Sequence, residues 1–260
     1  MNILEQLQKD GFRPVFSHYK NFKEYMEYQD DIPVKSSFND FTTTEDIDVV
    51  VNHVHKRYPN ANLYLVGFSM GAIMSLRWVG EHKGQSLVKG VVSVSCPVDL
   101  SKASPYLSQK KNWLYAFNMT QSLIKLAHLH KDLVEKKGLD IDYSIVKNCK
   151  TPVEFDGYFS IKVLGYTDLE EFYRKCTCIH AFKDIDIPCL LILSKDDPTY
   201  TLDFYPWKDI ESNQNIIAAI TPRGAHGHFV TGSSAVRWFR KPMGEFLKAI
   251  DSYNTEGMRN

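Results

Sequence analysis

The pentapeptide Gly67-Phe68-Ser69-Met70-Gly71 has the G-x-S-x-G spacing of a serine nucleophile. An apolar run over 62–66 predicts a short buried strand before it, and apolar residues at helical spacing over 72–79 predict a helix directly after it. Between a strand and a helix, this pattern indicates a sharp, strained turn that exposes the Ser69 hydroxyl. Positions 67 and 71 are expected to require residues with almost no side chain, so that the strand and the helix can pack. The Met70 N–H, at the helix N-terminus, is predicted to stabilise a developing oxyanion.

A serine hydroxyl becomes an effective nucleophile when a base lies within hydrogen-bond reach and a carboxylate orients that base. Two later apolar runs each end in residues that could supply these groups. Asp196-Asp197-Pro198 follows the first run, and Gly224-Ala225-His226-Gly227-His228 follows the second. The order Ser…Asp…His, with each group at the carboxyl end of a predicted strand, is the order of the α/β-hydrolases.

Two choices remain within this constellation. Asp197 is favoured as the orienting carboxylate because the ring of Pro198 holds it extended, and Asp196 is the alternative. His226 is favoured as the base because the preceding Gly224-Ala225 leaves its approach to Ser69 open. His228 is the alternative base, and its other expected role is to line the pocket or to bond the backbone.

The elements around these residues alternate as in a parallel sheet covered by helices. A capping box of Thr42 and Glu45 predicts the start of a helix with apolar positions 47, 50, 51 and 54 on one face. Further strands are predicted over 88–95, 188–193 and 215–220, and a closing helix over 237–253. The first residues predict a helix over 2–10, a strand over 14–19 and a surface loop over 20–43. We therefore predict one α/β domain over 1–260, interrupted by a cap-like helical insertion over approximately 97–186, in which 113–133 is one long amphipathic helix.

Composition excludes several classes of function. Among the 260 residues, Lys plus Arg and Asp plus Glu both number 31, so no charge bias indicates nucleic acid or an anionic membrane as a partner. The five scattered cysteines fit reduced thiols in an intracellular compartment better than a disulfide framework. Cys176, Cys178 and His180 do not have a usual zinc spacing, and we predict neither a metal nor a cofactor. His53 and His55, two apart on a predicted helix, are expected to be structural. The first residues do not have a signal-peptide pattern, and no apolar run reaches the 18 residues expected of a membrane span, so we expect neither in this sequence.

Four segments of the chain resemble a known family: 67–72; a block from Glu154-Phe155-Asp156 through Gly165-Tyr166 to Tyr173-Arg174-Lys175-Cys176; 187–198; and 224–229. In these segments the chain is similar to the YheT-like branch of the α/β-hydrolase superfamily, which includes ABHD-type lipases of animals and yeast medium-chain fatty-acid ethyl ester synthase/esterases. The block from Glu154 to Cys176 is the most diagnostic, because generic hydrolases lack it. The resemblance implies an α/β-hydrolase fold with Ser69, Asp197 and His226 as nucleophile, acid and base. It also implies hydrolysis or transfer of acyl groups of lipid-like esters, such as monoacylglycerols, medium-chain esters and, in some members, phospholipids.

The chain departs from the family pattern near its start. Relatives carry a long N-terminal region, often with a membrane anchor, and then a strand and a His-Gly loop that supplies the second oxyanion donor. Here Met1 falls inside the helix expected after that loop, and Lys20-Asn21-Phe22 stands where relatives have an Arg-Gly turn. An inner strand contributes about six buried side chains at roughly 1.5–3 kcal/mol each. Because that sum is comparable with the roughly 5–15 kcal/mol stability of a domain, we expect the chain to be a fragment or a truncated form.

The leading hypothesis is a serine esterase or lipase that acts through an acyl-enzyme on a small acyl ester without a cofactor. Aromatic residues expected near the site are read either as an acyl-chain pocket or as core: Phe22, Tyr25, Tyr28, Trp113 and Phe117. The rival hypothesis is a non-catalytic hydrolase-fold protein that binds a lipid or a partner. A protease or thioesterase of the same fold is a further alternative, because a triad does not select the acyl donor. Peripheral membrane contact, and a cytoplasmic or membrane-associated location, stay open at this stage.

Overall fold

The computed structural model of the chain describes residues 42–231 and 236–257. The predicted helix over 2–10, the strand over 14–19 and all but the end of the loop over 20–43 lie outside the described residues, as do Phe22, Tyr25 and Tyr28. The expected absence of an inner strand and of a second oxyanion loop stays a prediction for the same reason.

The described part of the chain is built on a four-stranded parallel sheet with the order β1-β2-β3-β4. Its strands are β1 (Leu63–Phe68), β2 (Val88–Val94), β3 (Cys189–Ser194) and β4 (Ile216–Thr221). All four strands were predicted, with bounds that differ by at most two residues. The central strands β2 and β3 are almost entirely buried, and their continuous Val, Leu and Ile runs are typical of parallel strands covered on both faces. Among the described residues, β1 has a neighbouring strand on one side only, which is β2.

Helices cover both faces of this sheet and fill the connection between β2 and β3. They are α1 (Glu45–Arg57), α2 (Met70–Glu81), α3 (Leu100–Leu107), α4 (Trp113–Leu129), α5 (Lys131–Lys136), α6 (Tyr143–Val146), α7 (Pro152–Phe155), α8 (Ile161–Leu164), α9 (Leu169–Cys176), α10 (Trp207–Ser212) and α11 (Arg240–Gly257). A π-helical turn, Asp156–Ser160, joins α7 to α8. The short strands β5 (Val230–Thr231) and β6 (Val236–Arg237) pair antiparallel before α11.

The core is divided by the sheet because neighbouring residues of a strand point to opposite faces. Val91 and Leu191 pack with Ile73 and Leu76 of α2 on one face. Val92, Val94 and Ile192 pack on the other face against Phe239, Met243 and Leu247, so α11 closes that side. The helices between β2 and β3 have an apolar cluster of their own, which includes Ile124, Val134, Phe155 and Phe159. None of the helices in the described part combines the length and the apolar character needed to cross a bilayer.

Two local predictions about helix boundaries are wrong. Thr42 is not an N-cap, because its hydroxyl accepts a hydrogen bond from the Tyr166 hydroxyl, and α1 follows Thr44 instead without a side-chain cap. The predicted single helix over 113–133 is two helices that meet at His130, which ends α4 and precedes α5. Val134 of α5 is completely buried in the cluster that contains Ile124. Long-range packing therefore overrides the local pattern at both places.

The cysteines are buried and unbridged, as predicted from their number and spacing. The Sγ atoms of Cys96 and Cys178 are 3.8 Å apart, well beyond the length of a disulfide bond. His53 and His55 are half-buried on α1, consistent with the structural role predicted for them.

Candidate active site

Ser69 lies at the tight turn between β1 and α2. Its φ of 52° and ψ of −120° fall outside the regions that residues with a side chain prefer, and such backbone strain is concentrated at functional sites. The turn is held from both sides, because the Ser69 N–H donates to Val94 O on β2 and Ser69 O accepts from the Ala72 N–H, each at 3.0 Å. Met70 provides the first amide of α2, a position where N–H groups have no intrahelical acceptor.

The two glycines of the pentapeptide have different roles. A Cβ at Gly67 would lie 2.5 Å from Gly71 O and 2.6 Å from Ala72 Cα, closer than real side-chain contacts allow. A Cβ at Gly71 would have no atom of another described segment within 4 Å. The prediction that both residues must be small is therefore confirmed for Gly67, whereas packing among the described residues does not require a glycine at position 71.

The imidazole of His226 lies between the side chains of Ser69 and Asp197. His226 Nε2 is 2.8 Å from Ser69 Oγ, and His226 Nδ1 is 2.9 Å from Asp197 Oδ2. These three residues are far apart in the chain, and the structure brings them together at the carboxyl ends of β1, β3 and β4. With the proton on Nδ1 donated to Asp197, the free Nε2 lone pair accepts from the serine hydroxyl.

Asp197 is fixed by Thr199, a residue that the sequence analysis did not single out. Asp197 Oδ1 accepts from the Thr199 N–H at 2.8 Å and from the Thr199 hydroxyl at 2.6 Å. The Asp197 side chain has no solvent-accessible surface, so these donors and the imidazole satisfy a carboxylate that water does not reach. An aspartate followed two residues later by a threonine is the pattern of an Asx turn, and that signal was available in the sequence.

The alternative acid, Asp196, contacts the backbone of the histidine loop and not the imidazole. Its Oδ1 accepts from the Gly224 and Ala225 N–H groups, both at 2.8 Å. The Ser194 hydroxyl donates to Ala225 O at 2.8 Å, and the Gly227 N–H donates to Ser95 Oγ at 3.0 Å. Asp196 and two serines thus attach the loop to the ends of β2 and β3, and no local sequence signal identifies them.

The same loop contains a glycine that packing requires. A Cβ at Gly224 would lie 2.4 Å from the Phe229 ring and 2.9 Å from Ser194 Cβ. Ala225 has a positive φ of 44°, which adds strain next to His226. His228, the alternative base, is exposed, and its backbone N–H donates to Gly224 O at 3.0 Å.

A cavity of about 190 Å³ lies between the turn at Ser69 and the helices that join β2 to β3. Its walls are mainly apolar and come from α3, α4, α7, the π-helical turn, α8 and α9. The lining residues are Ser69, Met70, Pro97, Leu100, Ala103, Ser104, Leu107, Met119, Leu123, Leu126, Ala127, Pro152, Phe155, Asp156, Phe159, Ser160, Val163, Leu164, Phe172 and Thr199. An apolar cavity of about 150 Å³ is large enough to bind benzene, so this one accommodates a short stretch of alkyl chain.

Two of the aromatic residues singled out from the sequence, Trp113 and Phe117, lie in the described part of the chain, and neither lines this cavity. Trp113 is 64% exposed and Phe117 is 40% exposed at the start of α4, so neither the pocket reading nor the core reading holds for them. Phe155, Phe159 and Phe172 line the cavity instead. These three belong to the block from Glu154 to Cys176 that carries the family resemblance.

The cavity contains a carboxyl group whose protonation is perturbed. Desolvation raises the pKa of Asp156 to about 6, although hydrogen bonds from Ser160 and Tyr173 act in the opposite direction. Desolvation and the charge of Asp156 also raise the pKa of the Tyr173 hydroxyl. A perturbed titratable group in a cavity is a candidate for function, and the sequence analysis did not assign one to Asp156.

Comparisons with known proteins concern the family and the fold of the chain. Residues 35–201 match the family described as Hydrolase_4: Serine aminopeptidase, S33. The chain is 27% identical to a monoacylglycerol lipase of Saccharomyces cerevisiae over 83% of this chain and 49% of that protein. It is 28% identical to phospholipase ABHD3 of Bos taurus over 74% of this chain and 46% of that protein. The chain thus spans about half the length of these curated relatives.

A solved structure, the esterase Pf2001 of Pyrococcus furiosus, aligns with a TM-score of 0.54 and 18% identity over 95% of this chain and 73% of that one. This likeness supports the fold. The resemblance to the ABHD-type branch of the α/β-hydrolases is confirmed by the named relatives. The family match covers well over half of the sequence, and the chain belongs to the Hydrolase_4 family of α/β-hydrolases.

Proposed function

We propose that the chain is a serine carboxylic-ester hydrolase with Ser69 as nucleophile, His226 as general base and Asp197 as the carboxylate that orients the base. The observation that carries the proposal is the position of the His226 ring, with Nε2 2.8 Å from Ser69 Oγ and Nδ1 2.9 Å from Asp197 Oδ2. An imidazole held in this way can remove the serine proton as the hydroxyl attacks a carbonyl carbon.

In the first half of the proposed reaction, Ser69 Oγ attacks the ester carbonyl and its proton passes to His226 Nε2. The negative charge that develops on the carbonyl oxygen is stabilised by the Met70 N–H at the start of α2. Asp197 stabilises the imidazolium that forms and holds its orientation. The tetrahedral intermediate then collapses, and His226 returns the proton to the leaving alcohol.

In the second half, water attacks the Ser69 acyl ester with His226 again as base, which releases the carboxylic acid and regenerates the serine. An alcohol in place of water gives a new ester, so the same groups support acyl transfer. Every step uses side chains and backbone amides of this chain.

The substrate class follows from the cavity beside Ser69. Apolar walls favour an alkyl chain, because the transfer of apolar surface from water is worth about 25 cal/mol per Å². The helices over 97–186 supply most of the wall and, in this proposal, act as a cap that shapes the acyl site. A named relative is a monoacylglycerol lipase, and we propose medium-chain esters such as monoacylglycerols as substrates.

The proposal is tested by labelling the full chain with a fluorophosphonate, which reacts with activated serines. We expect one labelled serine, identified as Ser69 by peptide mass spectrometry, and no labelling of Ser69→Ala. Ser122→Ala is the matched control, because it removes an exposed serine hydroxyl on α4 and should leave labelling unchanged. Release of decanoate from 1-monodecanoylglycerol by the native chain, and not by Ser69→Ala, would identify the donor as an ester.

Two outcomes contradict the proposal. Folded native chain that fails to react with the probe would favour a non-catalytic binding protein. Labelling that persists in Ser69→Ala would mean that another residue is the nucleophile. Hydrolysis of aminoacyl amides or thioesters in preference to the ester would keep the mechanism and change the substrate class.

A further inference from the structure

The cavity has polar side chains in two separate places. One is the Ser69 end, where Thr199 also lines the wall. The other is formed by Asp156 and Ser160 of the π-helical turn. These two residues and Tyr173 of α9, which bonds Asp156 from behind the lining residues, are called here the Asp156 cluster. Ser104 of α3, which also lines the cavity, is next to Tyr173. Among the described lining residues, Asp156 is the only one with an ionisable side chain.

The Asp156 carboxylate is only partly used by the protein. Its Oδ1 accepts from the Ser160 hydroxyl at 2.6 Å and its Oδ2 accepts from the Tyr173 hydroxyl at 3.0 Å. A carboxylate can accept about four hydrogen bonds, so this one can accept more. Asp156 is deeply surrounded by protein and yet keeps some accessible surface. Because it lines the cavity, that surface is available to a molecule bound there.

A structural role alone does not account for a carboxylate at this position. Burial of a charged group without a counter-charge is unfavourable. Among the described residues no cation is bonded to Asp156, and desolvation raises the pKa of its carboxyl. Its two partners are neutral hydroxyls, which would bond a neutral amide equally well. Nor does Asp156 take part in the proposed proton transfers, since its hydrogen bonds go to Ser160 and Tyr173 and not to Ser69 or His226.

We propose that the Asp156 cluster binds an aliphatic hydroxyl group of the substrate, which donates a hydrogen bond to the Asp156 carboxylate inside the apolar cavity. The inference rests on the function proposed above and adds a specificity-determining residue to it. The hydroxyl has two possible sources, the alcohol part of the ester or a hydroxylated acyl chain. A hydroxyl fits better than an ammonium group, because an ammonium would have to lose its hydration in walls that are otherwise apolar.

The inference is tested first by binding, with no need for turnover. The probes are the isomers 1-hexanol and 1-methoxypentane, which have the same atoms but differ in the presence of a hydroxyl donor. We expect the full-length Ser69→Ala chain at pH 8 to bind 1-hexanol about tenfold more tightly than the ether in calorimetric titration. In the Ser69→Ala/Asp156→Asn double variant the two affinities should become equal, because an amide N–H serves either oxygen.

The matched control is Asp142→Asn. Asp142 Oδ1 accepts from the Ser144 hydroxyl at 2.6 Å, the same pairing as in Asp156 and Ser160, but Asp142 does not line the cavity. The Asp142→Asn variant should still bind 1-hexanol more tightly than 1-methoxypentane. Three results would each overturn the inference. They are equal binding of the two isomers by Ser69→Ala, a preference for the alcohol that survives Asp156→Asn, and tighter binding of hexylamine than of 1-hexanol.

Hydrolysis then identifies the source of the hydroxyl. For the alcohol part, 2-hydroxyethyl octanoate is compared with propyl octanoate; for the acyl chain, methyl 8-hydroxyoctanoate is compared with methyl nonanoate. In one of the two pairs we expect kcat/KM to be about tenfold higher for the hydroxylated ester. Asp156→Asn should abolish this preference and leave kcat/KM for the ester without a hydroxyl unchanged. A purely structural defect would lower both members of a pair together.

The two proposals fail in different ways. No hydrolysis of any of the four esters by the native chain counts against the esterase, and the binding experiment still decides the hydroxyl site. Hydrolysis without preference counts against the hydroxyl site alone. If Asp156→Asn does not fold, a crystal of Ser69→Ala with 1-hexanol decides: the alcohol oxygen within hydrogen-bond distance of Asp156 supports the inference, and its location elsewhere overturns it.

Discussion

Asp156→Asn is expected to stabilise the protein increasingly as the pH rises from about 4 to 8. Desolvation raises the pKa of Asp156 from 3.8 to about 6 in the folded state. A folded state that holds a proton more tightly than the unfolded chain is stabilised by that proton at pH values below the unfolded-state pKa. This stabilisation is lost as the pH rises through the folded-state pKa. The difference corresponds to about 3 kcal/mol in the free energy of unfolding. Asparagine does not titrate and avoids this loss.

The measurement is urea unfolding of the native chain and the variant, followed by circular dichroism at several pH values. Other titrating groups are common to both chains, so they cancel in the difference between the two free energies of unfolding. We expect that difference to grow by up to about 3 kcal/mol in favour of Asp156→Asn, with most of the change between about pH 4 and 7.

Asp142→Asn provides a control with the opposite sign. Hydrogen bonds from Ser144 lower the pKa of exposed Asp142, so its ionised form favours the folded state and this contribution is lost in acid. Its variant should therefore become relatively less stable as the pH rises. A difference for Asp156→Asn that stays flat over the whole range, or that follows the direction of the control, would refute the account of Asp156 as a desolvated carboxyl.

The remaining predictions concern the turn, the triad and the surface. Gly67→Ala should prevent folding or lower the free energy of unfolding by more than about 3 kcal/mol in urea titrations. Gly71→Ala should change it by less than about 1 kcal/mol. Effects of similar size for the two variants would contradict the packing account. Asp197→Asn should slow fluorophosphonate labelling by about 10³–10⁴-fold with the fold retained, and a near-native rate would exclude Asp197 as the orienting group. Asp196→Ala should slow it by about 10–100-fold, through loss of two hydrogen bonds to the histidine loop; a larger loss than for Asp197→Asn would reverse the assignment of the two acids. Trp113→Ala should alter stability by less than about 0.5 kcal/mol, and a larger loss in thermal unfolding would mean that the exposed ring is packed.

The turn at Ser69 and the parallel strands were accessible from the sequence because their signals are local. A strand of continuous apolar residues, a glycine that packing demands and a proline that restricts its neighbour all act within a few residues. Long-range order was also accessible in outline, since the carboxyl ends of adjacent parallel strands meet at one edge of the sheet. That rule was enough to predict that Ser69, Asp197 and His226 would come together.

Elsewhere the local pattern misled, and the reason is contact with distant parts of the chain. Thr42 has the spacing of a cap, but its hydroxyl bonds Tyr166, 124 residues away. The periodicity over 113–133 predicts one helix, but the structure has two that meet at His130, and Val134 of the second is buried in the cluster that includes Phe155 and Phe159. Gly71 is a separate case, because it has the position of a required glycine and yet no other described segment comes within 4 Å of where its Cβ would lie.

By itself, the sequence predicted the type of sheet, the strained serine turn and the position of His226 between Ser69 and Asp197, because these depend on short segments and on the edge at which parallel strands end. Only the tertiary structure decided that Asp196 and Ser95 bond the backbone of the histidine loop, and that a carboxyl from the helices between β2 and β3 lines an apolar cavity. These depend on which side chains meet across the fold. Burial, desolvation and cavity shape depend on contacts between distant segments, so no single segment of the sequence determines them.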